Sequence, residues 1–316
     1  MGRKTNAAKP RKRGAREAHA DLAVIGGSGL YGMDGMEQIR EVRVRTPFGD
    51  PSDAVVLGTL GGVRVAFLAR HGRGHRISPS EINYRANIYA LKSLGVGRVI
   101  SVSAVGSMKE EIRPGNTVVV PDQFIDMTRH RIGTFFDRGL VAHVALADPV
   151  CAALSGVLAA AAGEAGATVH RGGTYVCIEG PQFSTRGESL LYRQRGVDVI
   201  GMTNLPEAKL AREAELCYAT LALPTDYDCW HASEESVTVE AILTTLRQNI
   251  ALAKHILRGA LSAASAQPRT CACGSALQYA VLTDPKKIPA TAKRRLGLLL
   301  DRYLAPPRRA GKKETR

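Results

Sequence analysis

Aromatic residues are scarce in this 316-residue chain, 5% of the total with one Trp, which excludes an interior built on bulky rings. The 32 glycines point instead to tight turns and small-residue packing. No uncharged apolar run approaches the roughly 18–20 residues that span a bilayer. The best candidate, 151–169, is broken by Glu164 and several glycines. The N-terminus is basic but has no apolar stretch behind it, which argues against a secretory signal. A cytoplasmic protein with no membrane partner is the expectation. The six cysteines, Cys151, Cys177, Cys217, Cys229, Cys271 and Cys273, are too few for a disulfide framework. Only Cys271-Ala-Cys273 is closely spaced, and the chain lacks the second pair that a zinc ribbon needs. No metal site is expected; the pair reads as two reduced thiols in a C-terminal loop, with a redox-labile pair as the alternative.

The net charge of +14 raises the question of nucleic acid, so its distribution matters. Residues 1–20 carry a net +6 and residues 284–316 a net +8, while 21–283 holds 25 basic and 25 acidic residues. The excess charge thus sits in two terminal segments. Basic, aromatic-poor ends of this kind read as solvating tails, with weak salt-sensitive attraction to polyanions as the other reading. A neutral body without an aromatic-basic platform argues against nucleic-acid binding. The expected organisation is a disordered tail over 1–20, one domain over 21–283, and a basic, partly helical appendage over 284–316.

The body alternates short strands with helices, the pattern of an α/β fold. Strand-like runs are Asp21–Ile25, Val63–Leu68, Arg98–Val105, Thr117–Val120 and Thr174–Ile178. The spacing predicts helices over Ser80–Leu94, from an Asp148-Pro149 cap to near Gly166, over Pro206–Tyr218, and over Glu240–Leu261, with a strand ending at Leu223 before the last. After the first strand, Gly27-Ser28-Gly29-Leu30-Tyr31-Gly32 fits G-x-G-x-x-G literally. A dinucleotide fold also needs a helix opening at that loop and an acid about 20 residues on. Asp34-Gly35 interrupts any such helix, and a turn around Pro47–Pro51 follows. A loop whose small residues let backbone N–H groups approach an anion, helped by the Ser28 hydroxyl, survives that objection.

Other polar loops follow apolar strands. Arg70-His71-Gly72-Arg73-Gly74-His75 suits an anion, because strand ends are where α/β proteins hold ligands. Ser101–Ser107 offers hydroxyls, and Glu179–Arg186 is a third such loop. Asp226-Tyr227-Asp228 places two carboxylates at i and i+2, which share one face of an extended chain. Several such loops at successive strand ends favour one shared pocket over separate structural turns.

These segments resemble the purine nucleoside phosphorylases, and within them the branch acting on 5′-methylthioadenosine. The resemblance runs from about Ala23 to Leu261 and is carried by IGGSGLYG, RHGRGHRISPSEINYRANI, EIRPGNTVVVPDQFIDMT, EGPQFSTR, GMTNLPEAKLAREAELCYA and TDYDCWH. It implies a twisted mixed sheet closing into a distorted barrel flanked by helices, in a homo-oligomer that is a trimer or a dimer of trimers. It implies a nucleoside and inorganic phosphate as small-molecule substrates and no cofactor. By resemblance the phosphate ligands are Ser28, Arg70, His71, Ser103, Ala104 through its backbone N–H, and Thr203. Asp226 is then the general acid toward purine N7, with Asp228 accepting from the 6-amino group or supporting Asp226. Phe183 would pack on the base and Met202 on the ribose. The 5′-methylthio group would meet Val237, Val239, Leu243 and His75, with His143 from a neighbouring subunit. The rival activity is phosphorolysis of 6-oxopurine nucleosides such as methylthioinosine or inosine. A 6-oxo group accepts hydrogen bonds and would suit an amide, so two carboxylates favour the 6-amino base.

Overall fold

The computed structural model describes residues 19–304 apart from 28, 31–32 and 232–238, and the backbone alone of 239–243. The terminal segments 1–18 and 305–316, Ser28, Val237, and the side chains of Val239 and Leu243 therefore lie outside the described residues. In chain order the strands are β1 (Leu22–Gly26), β2 (Met36–Val42), β3 (Val55–Leu60), β4 (Val63–Ala69), β5 (Arg98–Ser107), β6 (Thr117–Val120), β7 (Gln123–Asp126), β8 (Thr168–Arg171), β9 (Thr174–Cys177), β10 (Val199–Gly201) and β11 (Cys217–Asp226). The helices are α1 (Tyr84–Ser93), α2 (Ala152–Glu164), α3 (Arg186–Gln194), α4 (Asn204–Glu213), α5 (Val239–Ala266) and α6 (Ala290–Leu304).

All the strands belong to one mixed sheet in the order β2-β3-β4-β1-β5-β10-β9-β7, with β11 against β5 and β6, and β6 against β8. The long strand β5 makes the branch. Its first residues pair in parallel with β1, its last two pair antiparallel with β10, and β11 runs parallel along its other edge. No ladder among the described residues joins β8 back to β7, so the pairing is a branched sheet and closure into a barrel rests on the resemblance alone.

Both faces of the centre are covered, which is why β1 reads as an unbroken apolar run. Ala23 and Ile25 face a cluster containing Ile88 and Leu91 of α1 and Leu210 of α4. Leu22 and Val24 face the other cluster, with Leu158 of α2 and Ile256, Leu257 and Leu261 of α5. Each such aliphatic side chain contributes about 1.5–3 kcal/mol by leaving water. Within the basic C-terminal segment, α6 buries Ala292, Leu296, Leu299 and Leu300 in the first cluster. Lys293, Arg294, Asp301 and Arg302 of the same helix are exposed, while Arg295 turns inward to pair with Asp137.

Three helix starts and stops differ from the sequence-based expectation. Asp148-Pro149 does not cap α2, because the Cys151 N–H donates to Tyr218 O at 2.8 Å and keeps the chain extended up to Ala152. Helix α1 begins at Tyr84 rather than near Ser80, since Asn83 caps it by accepting from the Ala86 N–H at 3.1 Å. Helix α4 stops at Glu213 because Glu215 turns left-handed (φ 56°), and β11 opens at Cys217.

Candidate active site

The polar loops gather where β4, β5 and β11 end and where β10, running against β5, comes back beside them. Ser103 on β5 and Thr203 after β10 bring their hydroxyls to 3.3 Å, and Tyr175 on β9 places its hydroxyl 3.2 Å from Ser103 Oγ. Tyr175 reaches that point because residue 201 is glycine: a Cβ there would lie 2.0 Å from the Tyr175 hydroxyl. Ala104 is exposed next to this pair.

Arg70, at the end of β4, is almost fully buried and faces Glu207, which is fully buried on α4. Its Nε donates to Glu207 Oε2 at 2.9 Å, and its Nη2 to Glu207 Oε1 at 3.0 Å, to Ser101 Oγ at 2.7 Å and to Ile25 O at 3.2 Å. Nη1 donates to Val102 O at 2.9 Å, and its second N–H has no acceptor among the described residues. Burial would lower the guanidinium's proton affinity, but the Glu207 charge outweighs it and the group stays cationic. Ser101 and Tyr218 also donate to Glu207 Oε1, each at 2.9 Å. Sequence reasoning named Arg70 but missed Glu207. The available signal was an acid on the same helical face as Leu210 and Ala211, where only a partnered carboxylate can stay buried.

His71 is buried beside Arg70, and its Nδ1 lies 2.9 Å from Ile77 O. A carbonyl can only accept, so the proton sits on Nδ1 and Nε2 is left as an acceptor. Desolvation, then the Arg70 charge, hold the ring's pKa down to about 4, so His71 is neutral near pH 7. His75, in a left-handed conformation (φ 53°), stacks on it with ring centroids 4.3 Å apart.

Asp226 ends β11, just past a register shift in its pairing with β5. The irregular strand end is held by Asn249 of α5, whose side-chain amide donates to Pro224 O at 2.9 Å. Asp228 does not share an extended face with Asp226, as its i+2 spacing suggested. The chain turns left-handed at Asp228 (φ 54°) and opens a 3₁₀ turn over Asp228–Trp230. The turn still couples the two acids, since the Asp228 N–H donates to Asp226 Oδ1 at 2.8 Å. The Thr225 hydroxyl donates to Asp226 Oδ2 at 2.7 Å. Asp228 is buried and accepts from Ser189 Oγ at 2.5 Å. Burial raises its pKa above the usual carboxylate range, Ser189 offsets part of that, and the Asp226 charge adds to it. Gly106 makes room for the pair: a Cβ there would meet Asp226 Oδ1 at 3.1 Å and Asp228 Cβ at 3.3 Å.

Arg131, which the sequence did not single out, pins the neighbouring loops together. It is buried, donates to Met202 O at 2.6 Å and Leu205 O at 2.7 Å, and pairs with Glu179 at 3.3 Å. Desolvation alone would raise the Glu179 carboxyl. The Ser80 hydroxyl, the N–H groups of Arg129 and His130, and Arg131 outweigh it and pull it down to about 2. Met202 in turn packs on the loop after β9, where a Cβ on Gly180 would come 2.5 Å from its sulfur. Phe183, on the same loop, is 64% exposed. His143 stands exposed on a segment bridged to Val281, its N–H on Ala280 O at 2.8 Å, and no described bond in the one chain ties it to the carboxylate loop.

The site therefore combines a dense hydrogen-bonding floor suited to an anion with a carboxylate pair able to carry a proton. The chain belongs to the phosphorylase superfamily, whose profile matches residues 21–262. Within it, the chain is 62% identical over 284 residues to S-methyl-5′-thioadenosine phosphorylase of Geobacter sulfurreducens, covering 90% of this chain and 99% of that one. It also superposes on a methylthioadenosine phosphorylase from an antarctic soil metagenomic library, with TM-score 0.85, 52% identity, and coverage of 90% of this chain and 99% of the other. The methylthioadenosine phosphorylase of Schistosoma mansoni in complex with adenine is similar at TM-score 0.73 and 35% identity, covering 89% of this chain and 98% of that one.

Proposed function

We infer that the protein is a pentosyltransferase that cleaves 5′-methylthioadenosine with inorganic phosphate, giving adenine and 5-methylthioribose 1-phosphate. The observation that carries this reading is the carboxylate pair Asp226–Asp228, with Asp228 raised by burial, set beside the Arg70–His71–Ser103–Thr203 group in a chain so similar to phosphorylases of that nucleoside.

Phosphate enters as hydrogen phosphate, with inorganic phosphate a substrate and no cofactor taking part. Its P–OH donates to His71 Nε2, and its other oxygens accept from the second Arg70 Nη1 N–H, the Ser103 and Thr203 hydroxyls, the Ala104 N–H and Ser28. Those contacts hold the nucleophile in line with C1′, a proximity effect. As the N-glycosidic bond breaks, positive charge develops at the ribosyl carbon and negative charge on the purine. A proton delivered to N7 keeps adenine from leaving as an anion. The two carboxylates share that proton. Asp228 favours it before substrate binds, and Asp226, at the strand end, passes it to N7. Phe183 covers the base and Met202 the ribose. The 5′ group meets His75, with Val237, Val239 and Leu243 completing the pocket and His143 entering from a neighbouring subunit of a homotrimer.

The test is adenine release from methylthioadenosine by the purified protein with and without phosphate. Release only with phosphate is expected. Release in phosphate-free buffer would make it a hydrolase. A higher kcat/KM for methylthioinosine than for methylthioadenosine would move the assignment to the 6-oxopurines.

A further inference from the structure

Four of the six cysteines, scattered through the chain, meet in space. Cys151, just before α2, Cys217, first residue of β11, and Cys271 and Cys273, one before and one inside the 3₁₀ turn Ala272–Ser275 after α5, bring their sulfurs to within 4.8 Å of one another. This corrects the expectation that Cys271 and Cys273 have no second pair. Folding supplies one from residues 120 and 54 positions upstream of Cys271.

We propose that these four sulfurs form a structural tetrathiolate site for a zinc ion. A tetrahedron of sulfurs about 2.3 Å from zinc has edges of about 3.8 Å. Here Cys151 and Cys271 are 3.8 Å apart and Cys217 and Cys271 are 3.2 Å apart, with every pair inside 4.8 Å. All four are thiols, and three of the four residues are buried, with Cys271 at the outer edge. A cavity of about 30 Å³ is lined by Cys151, Cys217 and Cys271 among other residues.

The surroundings fit a metal better than four neutral thiols. Four thiolates around a divalent ion leave a charge of −2, and the Arg269 Nε lies 3.2 Å from Cys217 Sγ, where it can offset part of it. All four sulfurs bind zinc as thiolates, and a free thiol is mostly protonated at neutral pH. Zinc binding drives the protons to solvent. The loop bearing Cys271 and Cys273 is aligned in advance, with Arg302 donating to Gly274 O at 2.8 Å and the Leu277 N–H to Glu215 Oε1 at 3.0 Å. Cys217 and Asp226 begin and end one ten-residue strand. At about 3.3 Å per residue the metal would sit roughly 30 Å from the carboxylate pair. Its role would be to fasten the C-terminal segment to α2 and the sheet, with no part in the reaction.

The full-length protein, purified under reducing conditions without chelator, should contain one zinc per chain by elemental analysis. Cys271→Ser/Cys273→Ser should lose at least nine-tenths of it. Stripped wild-type protein under reducing conditions should take up one equivalent of zinc. With cobalt it should show thiolate-to-metal charge-transfer bands and the intense visible bands of a tetrahedral sulfur site. Chelation should lower the melting temperature while kcat of the folded enzyme at 25 °C stays within twofold. The wild-type measurements need no variant to fold. Absence of zinc uptake by the reduced wild type would overturn the proposal. So would disulfides among these cysteines in the native protein, or zinc retained by the double variant.

Discussion

Arg70→Ala tests two roles at once, because the side chain is both a candidate phosphate ligand and the partner of a fully buried carboxylate. Removing it strips Glu207 of two charge-assisted hydrogen bonds and leaves the Ser101 and Tyr218 hydroxyls as its donors. Breaking one side of a buried ion pair costs about 3–5 kcal/mol, most of it from the stranded charge. Arg70→Ala should therefore lower denaturant stability by that amount and raise the KM for phosphate more than the KM for nucleoside. Arg70→Met combined with Glu207→Gln separates the effects. Met fills the volume without charge, and the Gln carbonyl still accepts from Ser101 and Tyr218. The remaining cost is that of Val102 O and Ile25 O losing a donor, about 1–3 kcal/mol. The double variant should regain much of the lost stability and none of the phosphate affinity. Urea unfolding in phosphate-free buffer and steady-state kinetics with varied phosphate read the two quantities. A single variant within 1 kcal/mol of wild type, or a double variant with wild-type phosphate KM, would refute the reasoning (1 kcal/mol being about a fivefold change in equilibrium).

Asp226→Asn should lower turnover by about 10²-fold or more while the protein stays folded, and should improve relative use of 6-oxopurine nucleosides, measured as a ratio of kcat/KM values. Ser189→Ala removes a donor that favours ionised Asp228, so the alkaline limb of the pH–rate profile, where the pair loses its shared proton, should move to higher pH. Stability against pH should expose two opposed groups. Burial lowers His71 from 6.5 to about 4, so protonating it costs stability as pH falls below 6.5. Burial raises Glu213 from 4.5 to about 7, so the folded state takes up its proton first and gains stability as pH falls from 7 toward 4.5. Each amounts to about 3 kcal/mol over its full span. Urea midpoints at pH 7 and 5 should show Glu213→Gln losing more stability on acidification than wild type, and His71→Asn losing less. Deleting residues 1–18 should leave adenine release unchanged, as the family profile begins at residue 21. A severe loss on folded protein would mean that the N-terminus reaches the site.

What could be read in the sequence depended on whether the information was local. β1, β6 and the part of β4 after its exposed Arg64 were legible because strands buried on both faces are nearly continuous apolar runs. β7 and β8 were not, because their four residues each are exposed or half-buried and carry no apolar run. Asp226 and Asp228 were singled out by their spacing, but the extended face expected for the pair is not what couples them. A left-handed residue and a backbone hydrogen bond couple them, and nothing in an aspartate's identity announces a positive φ. Arg70 stood out beside a His after a strand, whereas Glu207 lies 137 residues away in a helix of good helix formers. Its acid could be weighed only once a cation was known to face it. The same holds at the other end of β11, with a larger consequence. Local spacing offered no zinc ribbon, because a ribbon's ligands come in close pairs. Cys151 and Cys217 have no cysteine near them in the chain and meet Cys271 and Cys273 only because α2 and β11 pack beside the turn after α5. A site whose ligands come one from a helix start, one from a strand start and two from a loop leaves no spacing to recognise. Folding creates it, and the sequence shows only that the residue types are present.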